Sequence, residues 1–442
     1  MHSDLPVPAN KSVHRVPDPL AVLQASHRKT VHFRLWMLTG IFFMVLPGTL
    51  LGFTNLLQIS ASHGLSGLSA AWIQAHGHAQ VFGWIGSFVL GIGFYSQPET
   101  RANRGRMPLI CWGLWTAGLS FHWVSRAFQW HWRILLPLSG LLELLAILLF
   151  LRAARQHKLP SSSTGSGRIP LWMQSVLLSN LALLLAILLN FVEACYLAWG
   201  GHSPAIPHAL DQSYLVLLAW GFLVPLIWGF SVRWLPAFLG LAALRTSAFR
   251  FALVLNTLGV LLGMAGVARL AMTLLVASAL LAAWALQLYS TSEHPAKTAG
   301  IHASFPFFVR IAYLWSILAP MLGLWAAWAD HHGGIWGGSR HGLTVGFAAM
   351  MVMTIGPRIL PHFAGIRQLW SPRLMLVTLV FLLLGCTLRV SMEVVAYEGI
   401  ASFAWRLLPL SGVLELTAVL CFALQILLTL LRGQAILAAD CT

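Results

Sequence analysis

The chain has 442 residues, of which 58% are apolar and only 9% are charged. A soluble domain carries roughly 25% charged residues because its surface must be solvated, so this composition excludes a water-soluble globule and indicates a polytopic membrane protein. Five cysteines in 442 residues exclude a disulfide scaffold. The net charge of +15 predicts cytoplasmic loops rich in Lys and Arg and no nucleic-acid partner.

A bilayer core about 30 Å thick requires about 20 apolar residues per helix. On this criterion the sequence predicts one all-α membrane domain over residues 31–432. Residues 1–30 are expected to form a flexible cytoplasmic arm, and residues 433–442 a short cytoplasmic tail. Twelve membrane-spanning helices are expected near residues 33–58, 73–95, 108–125, 134–151, 170–198, 210–232, 249–267, 270–289, 306–328, 341–357, 374–395 and 404–431.

The positive charges are distributed unevenly between the two sides of these predicted helices. If the N-terminus is cytoplasmic, 21 of the 27 Lys and Arg residues fall on the cytoplasmic side. The six that remain on the opposite side are Arg126, Arg133, Arg269, Arg340, Arg389 and Arg406. Because cytoplasmic loops are enriched in Lys and Arg, this asymmetry predicts twelve spans with both termini in the cytoplasm and with membrane lipids around them.

The chain also repeats part of its own sequence. The second and tenth predicted helices share a histidine, two glycines and a proline at a constant offset of 263 residues. They are His78, Gly83, Gly93 and Pro98, and His341, Gly346, Gly356 and Pro361. The segment Pro137–Leu144 recurs almost unchanged as Pro409–Leu416, and the sixth helix repeats the glycine-to-proline spacing with Val216 in the histidine position.

These matches predict three four-helix units, near residues 30–156, 168–291 and 303–432, that enter the membrane in the same orientation. The units would be related by pseudo-symmetry about an axis along the membrane normal, with matched helices facing a shared centre. The alternative is that Gly and Pro recur by chance, because both are frequent in membrane helices.

His78 and His341 are the candidate site because they occupy matched positions. Both are expected one or two turns inside their helices, near the outer leaflet and facing the shared centre. Two neutral imidazoles in an apolar setting can supply both axial ligands of a haem iron. The alternative is that each is an interfacial histidine, either solvated or bonded to a carbonyl group. His76 is a candidate copper ligand or a support for the haem ligands, since imidazole suits copper.

Four charged residues inside the predicted helices complete the candidate set. Glu143 and Glu415 are expected at a depth of roughly 15 Å, where a carboxyl group must be protonated, paired or part of a polar path. A proton relay and structural pairing both stay open. Arg126 and Arg389 are expected near the outer boundary, where they would face either haem propionates or lipid head groups.

The remaining histidines of the outer side are expected in loops or at helix ends, where they either contribute to copper binding or are simply solvated. With His76 they form a group of eight, the other seven being His63, His122, His131, His202, His208, His331 and His332.

Three stretches resemble the NnrS family of twelve-span bacterial membrane proteins, which are linked to nitric oxide stress and denitrification and described as binding haem and copper. His76–Gly83 looks like the family's His-x-His-x-x-x-Phe-Gly signature. Arg233–Phe238 is similar to its Arg-x-Ile-Pro-Ala-Phe turn, and His341–Gly346, with Arg358 and His362 downstream, is similar to its His-Ala-Leu-Thr-Val-Gly block. The family's acid after the second histidine is Ala79 here, and its Gly-His-Thr-Gly turn has also changed.

The resemblance implies a bacterial inner-membrane protein of nitric oxide metabolism or nitrosative-stress tolerance. It implies a haem b near the periplasmic face with His78 and His341 as ligands, copper as a second candidate metal, and nitric oxide or a nitrosyl species as a partner. The electron donor is not implied.

The architecture is also similar to that of haem-copper oxidase catalytic subunits, which need further histidines on the sixth and seventh helices. Here the sixth has only His208 at its mouth and the seventh has none, so a complete oxygen or nitric oxide reductase is not expected. A secondary transporter is the main alternative, although transporter halves repeat after six helices or in inverted form. A structural protein without a metal is a third reading.

Overall fold

The computed structural model describes residues 19–96, 106–155, 169–363, 366 and 368–439. These residues form helices and contain no β-strand. Twelve of the helices are long, and eleven of those are long and apolar enough to cross a membrane. The chain is therefore an all-α, multi-pass membrane protein, as its composition predicts.

We number the twelve long helices in chain order. They are α1 (Lys29–Ser62), α2 (Ala70–Ser96), α3 (Met107–Ala127), α4 (Trp132–Arg155), α5 (Leu171–Gly200), α6 (His208–Leu239), α7 (Thr246–Met264), α8 (Ala268–Ala285), α9 (Phe305–Ala329), α10 (Gly334–Phe363), α11 (Pro372–Tyr397) and α12 (Phe403–Arg432). The helix that contains α1 begins at Pro19, inside the predicted polar arm, and α12 continues to Ala439. The most polar of the twelve is α3, which is not among the eleven.

Each predicted segment coincides with one of these helices, but the boundary between the seventh and eighth was predicted wrongly. The sequence suggested a break at Ala268–Arg269, whereas the structure places it at residues 265–267. The reason is Gly266, whose φ of +79° ends α7 three residues before the predicted end. Residues 97–105, with Pro98 of the repeat, and residues 156–168 lie outside the described residues.

The twelve helices close into a ring, since each contacts the next in the chain and α12 packs against α1. Three of them lie deeper than the rest. In α2, α6 and α10, 61–67% of the most apolar 18-residue stretch is buried inside the protein. The corresponding share is 28–50% in the other eight candidate spans. These three helices therefore supply the interior of the bundle, and α6 also contacts α10.

Each of the three interior helices contains a π-helical segment. The segments are Ala79–Gly86 in α2, Leu217–Leu223 in α6 and Gly342–Ala349 in α10, and α1 has a fourth at Met44–Leu50. Those in α2 and α10 begin at the residue after His78 and after His341, respectively. The two histidines therefore stand where the helical geometry changes. Short π-helical insertions of this kind occur frequently at functional sites.

Glycine permits close approach of α3 and α4. A Cβ atom at Gly118 would lie 2.8 Å from Cγ of Glu143 and 3.0 Å from the carbonyl oxygen of Ser139, whereas a Cβ atom at Gly113 on the same helix would meet nothing within 4 Å. Gly118 is thus a packing position and Gly113 is a matched control with the same backbone conformation.

We expect Gly118→Val to lower the free energy of unfolding by about 1–3 kcal/mol, because the added methyl groups must displace α4. Gly113→Val should have little effect beyond the shared change in helix propensity. Thermal unfolding of the two purified variants in detergent measures the difference. Equal melting temperatures would show that α3 and α4 do not pack as closely as described.

Candidate functional site

Polar side chains converge in one half of the bundle. We call it the His63 end, because α1 ends there at Ser62 and α2 begins there at Ala70. The sequence predicts that this end faces the periplasm. The polar residues are His76, His78, His122, Arg126, Glu143, Glu193, Asp211, Tyr214, Arg340, His341, Arg389, Glu393 and Glu415, from eight different helices.

The first cluster joins α2, α3 and α4 and contains His78, His122 and Glu143. The Nε2 atom of His78 lies 3.0 Å from Oε1 of Glu143. The rings of His78 and His122 are parallel, with centroids 3.5 Å apart and an interplanar angle of 5°. The side chain of Phe82 packs beside His78 with a ring separation of 4.6 Å. All three cluster residues are buried, with exposed fractions of 7%, 2% and 0%.

This cluster does not satisfy its own hydrogen-bonding capacity. Nδ1 of His122 and Oε2 of Glu143 are buried and have no hydrogen-bond partner among the described residues. A buried polar atom without a partner costs about 1–3 kcal/mol. One potential ligand atom from each of the three residues lies within 4.8 Å of the other two, so the cluster has the donor atoms of a metal site.

His76 points away from this cluster, because residues two positions apart on an α-helix are separated by about 200° around its axis. Its Nδ1 atom donates to the carbonyl oxygen of Gly48 in α1 at 2.8 Å. The imidazole rests on Gly52, where a Cβ atom would collide with it. It also lies within electrostatic range of His341 on α10 and of Arg389 on α11.

His341 is held in a similar manner. Its Nδ1 atom donates to the carbonyl oxygen of Gly337 at 3.0 Å and lies 3.2 Å from Oε2 of Glu393. Because a carbonyl oxygen can only accept, His341 and His76 both carry their proton on Nδ1. In the neutral form each imidazole then has its lone pair on Nε2, and neither Nε2 atom has a hydrogen-bond partner among the described residues. An imidazole with Nδ1 fixed in this way is oriented for metal binding through Nε2.

The two predicted arginines are buried rather than directed at lipid head groups. Arg126 is 1% exposed and donates to the side-chain oxygen of Gln74. Gln74 in turn bonds to the backbone of Ile206 at 2.9 and 3.0 Å. Arg389 is 7% exposed, and its Nε atom lies 3.3 Å from Oε2 of Glu393. Each still has one buried nitrogen without a partner, Nε in Arg126 and Nη1 in Arg389.

The two predicted membrane carboxyls differ in their surroundings. Glu143 is structurally paired, with His78, as one of the two sequence interpretations expects. Glu415 lies against Gly385 of α11 and within electrostatic range of His341 and Arg389. Its Oε1 atom has no partner among the described residues. A proton-relay role stays a prediction for both.

The structure adds residues that the sequence interpretation missed. His122 was assigned to the outer surface, yet it is 2% exposed. The available signal was its position inside the third predicted helix, four residues before Arg126 and therefore on the same helical face. Gln74 carried no comparable signal, whereas Glu393 was expected near the outer boundary and stands four residues after Arg389 on the same helical face. Of the eight outer histidines, His76 is half-buried, and the six besides His76 and His122 are exposed.

No protein-family model matches the chain, and no curated protein matches it either. The resemblance to the NnrS family therefore stays a prediction from the three stretches. These stretches lie in the three interior helices: His76–Gly83 in α2, Arg233–Phe238 in α6 and His341–Gly346 in α10.

We expect Glu393→Gln to lower the free energy of unfolding by about 3–5 kcal/mol, because it leaves the buried Arg389 guanidinium without its anionic partner. Glu293→Gln is the matched control, since Glu293 is an exposed residue outside the helices. Denaturant titration in detergent micelles measures both variants. A loss for Glu393→Gln no larger than for the control would contradict the ion pair.

Proposed function

We propose that the protein is a bacterial inner-membrane haem protein of the NnrS type that acts in nitric oxide metabolism or nitrosative-stress tolerance. The observation that carries this proposal is the pair of imidazoles in the bundle interior, one on α2 and one on α10. Both are fixed through Nδ1 and both leave Nε2 available to a metal. A haem bound there would supply one-electron redox chemistry.

The geometry favours His76 and His341 as the two haem ligands. His78, the ligand that the repeat predicts, has its Nε2 atom hydrogen-bonded to Glu143 and its ring stacked on His122. Its role as a haem ligand stays a prediction that the same experiment tests.

Two further observations fit a haem at this place. The unpartnered nitrogens of Arg126 and Arg389 are donors of the kind that bind haem propionates. Both arginines lie in the same polar half of the bundle as His76 and His341, and Arg389 is within electrostatic range of His76. These arginines would bind the propionate groups of the haem, and the two histidines would bind its iron.

We also infer that the twelve helices are three related four-helix units with both termini in the cytoplasm. The π-helical segments of α2, α6 and α10 begin directly after His78, Val216 and His341, which are the positions matched by the repeat. The third helix of each unit places a glycine against the fourth. The three contacts are Gly118 with Glu143, Gly259 with Leu275 and Gly385 with Glu415.

A secondary transporter is the second candidate, because charged groups inside membrane helices often mark a substrate or ion pathway. The buried pair of Arg389 and Glu393 and the buried Glu193 are groups of that kind. A transporter needs no haem, so the presence of a haem separates the two functions.

The test is the reduced-minus-oxidised absorption spectrum of the protein purified in detergent. We expect the sharp α and β bands of bis-histidine haem b in the wild type and in His131→Ala, whose imidazole is exposed. His341→Ala and His76→Ala should lose these bands, because each removes an axial ligand. His78→Ala should keep them if His76 is the ligand, and lose them if the repeat-based prediction is right.

A colourless wild-type preparation that elutes as a single species and unfolds cooperatively would overturn the haem proposal and favour the transporter. The physiological part of the proposal is tested separately. Cells that lack the protein should grow more slowly in the presence of a nitric oxide donor, and the wild type, but not His341→Ala, should restore growth. Equal growth with and without the protein would contradict a role in nitric oxide tolerance.

A further inference from the structure

The cluster of His78, His122 and Glu143 is not used by the proposed haem site. We infer that these three side chains form a binding site for one divalent transition-metal ion, enclosed by α2, α3 and α4. The inference does not rest on the haem proposal, because it uses different ligand atoms.

The distances between the potential ligand atoms are close to those found around a bound metal ion. Ligand atoms at about 2.0–2.2 Å from a zinc-like ion lie about 3.4 Å apart in a tetrahedral site. His78 and Glu143 already approach to 3.0 Å, and one ligand atom of His122 lies within 4.8 Å of both. Turning the His122 ring out of its parallel stack on His78 would bring one ligand atom of each residue onto one ion.

The unpartnered atoms point to the same conclusion. Nδ1 of His122 and Oε2 of Glu143 are buried without a hydrogen-bond partner, and such atoms in a membrane interior need an internal partner. A metal ion supplies one to the imidazole and to the carboxylate together. The remaining wall next to His78 is the apolar ring of Phe82, which offers no competing hydrogen bond.

The charges around the cluster also favour binding of a cation. Arg126 lies within electrostatic range of three carboxyl groups, those of Glu143, Glu193 and Asp211. Asp211 also lies within electrostatic range of Arg340, so the guanidinium of Arg126 is shared by Glu143 and Glu193, and burying an uncompensated carboxylate is unfavourable. A divalent ion at the His78 cluster would compensate the carboxylate that lies deepest, Glu143, whose side chain is fully buried.

Comparison with the third unit supports this reading. Gly118 and Gly385 both lie against a glutamate of the following helix. Four residues after each glycine, on the same helical face, stand His122 and Arg389. In the third unit this position carries a guanidinium near Glu415, whereas in the first unit it carries an imidazole, which can bind a metal ion, and Arg126 stands one turn farther along α3.

The donor set selects the kind of metal. Two imidazole nitrogens and one carboxylate oxygen suit zinc, iron, copper and nickel ions, whereas magnesium and calcium prefer oxygen ligands alone. Three protein ligands also leave at least one coordination position open. The site would therefore hold an ion that can still bind a small exchangeable ligand.

Cobalt is a suitable probe, because it replaces zinc and is not the metal of haem. The detergent-purified chain is treated with a chelator, incubated with Co²⁺, desalted and analysed for cobalt by mass spectrometry. We expect about one Co²⁺ per wild-type chain, with ligand-field bands in the visible spectrum and a raised melting temperature. Glu143→Gln and His122→Ala should lose the bound cobalt and the cobalt-dependent rise in melting temperature, while His131→Ala should keep both.

A wild type that retains no cobalt would overturn the inference, as would Glu143→Gln and His122→Ala variants that retain it in full. Haem content measured on the same samples separates this result from the proposed function. If both proposals hold, His341→Ala loses the haem spectrum but binds cobalt normally, and Glu143→Gln shows the opposite pattern.

Discussion

The structure depends on one constraint: a polar group inside a bilayer must find its partner within the protein, because no water is available there. The bundle meets this constraint by pairing side chains both between helices and along a single helix. His78 on α2 bonds to Glu143 on α4, and Arg389 pairs with Glu393 one turn along α11. Glycines such as Gly118 bring the backbones close enough for these contacts.

The same constraint singles out the places where chemistry is expected. Several buried polar atoms of the His63 end have no hydrogen-bond partner among the described residues, including atoms of Arg126, Glu193, Arg389 and Glu415. Four available atoms have the chemistry of metal ligands. They are Nε2 of His76 and of His341, Nδ1 of His122 and Oε2 of Glu143. The first two come from α2 and α10 and the last two from α3 and α4. We therefore propose two neighbouring sites, which are separated by the opposite directions of His76 and His78 on α2.

The number and order of the helices could be predicted from the sequence, because about 20 consecutive apolar residues report directly on a membrane span. The position of the break between α7 and α8 was predicted wrongly. The backbone conformation of Gly266 determines where α7 ends, and hydropathy does not report on that conformation. In the site, the repeat found His78 and His341 but not the directions of their rings. Because His76 and His78 are two residues apart, they were already expected on opposite faces of one helix. Which of the two imidazoles faces α10 depends on where α1 and α4 pack against α2.

The assignment of His76 and His78 to different proposed sites rests on the hydrogen bond that turns His78 toward Glu143. A double-mutant cycle with His78→Ala and Glu143→Ala, measured as free energies of unfolding in detergent, tests this contact most directly. The account predicts a coupling energy of about 1–3 kcal/mol, because either single substitution leaves a buried polar group without its partner. Additive effects of the two substitutions would contradict the contact and the division of the two histidines between two sites.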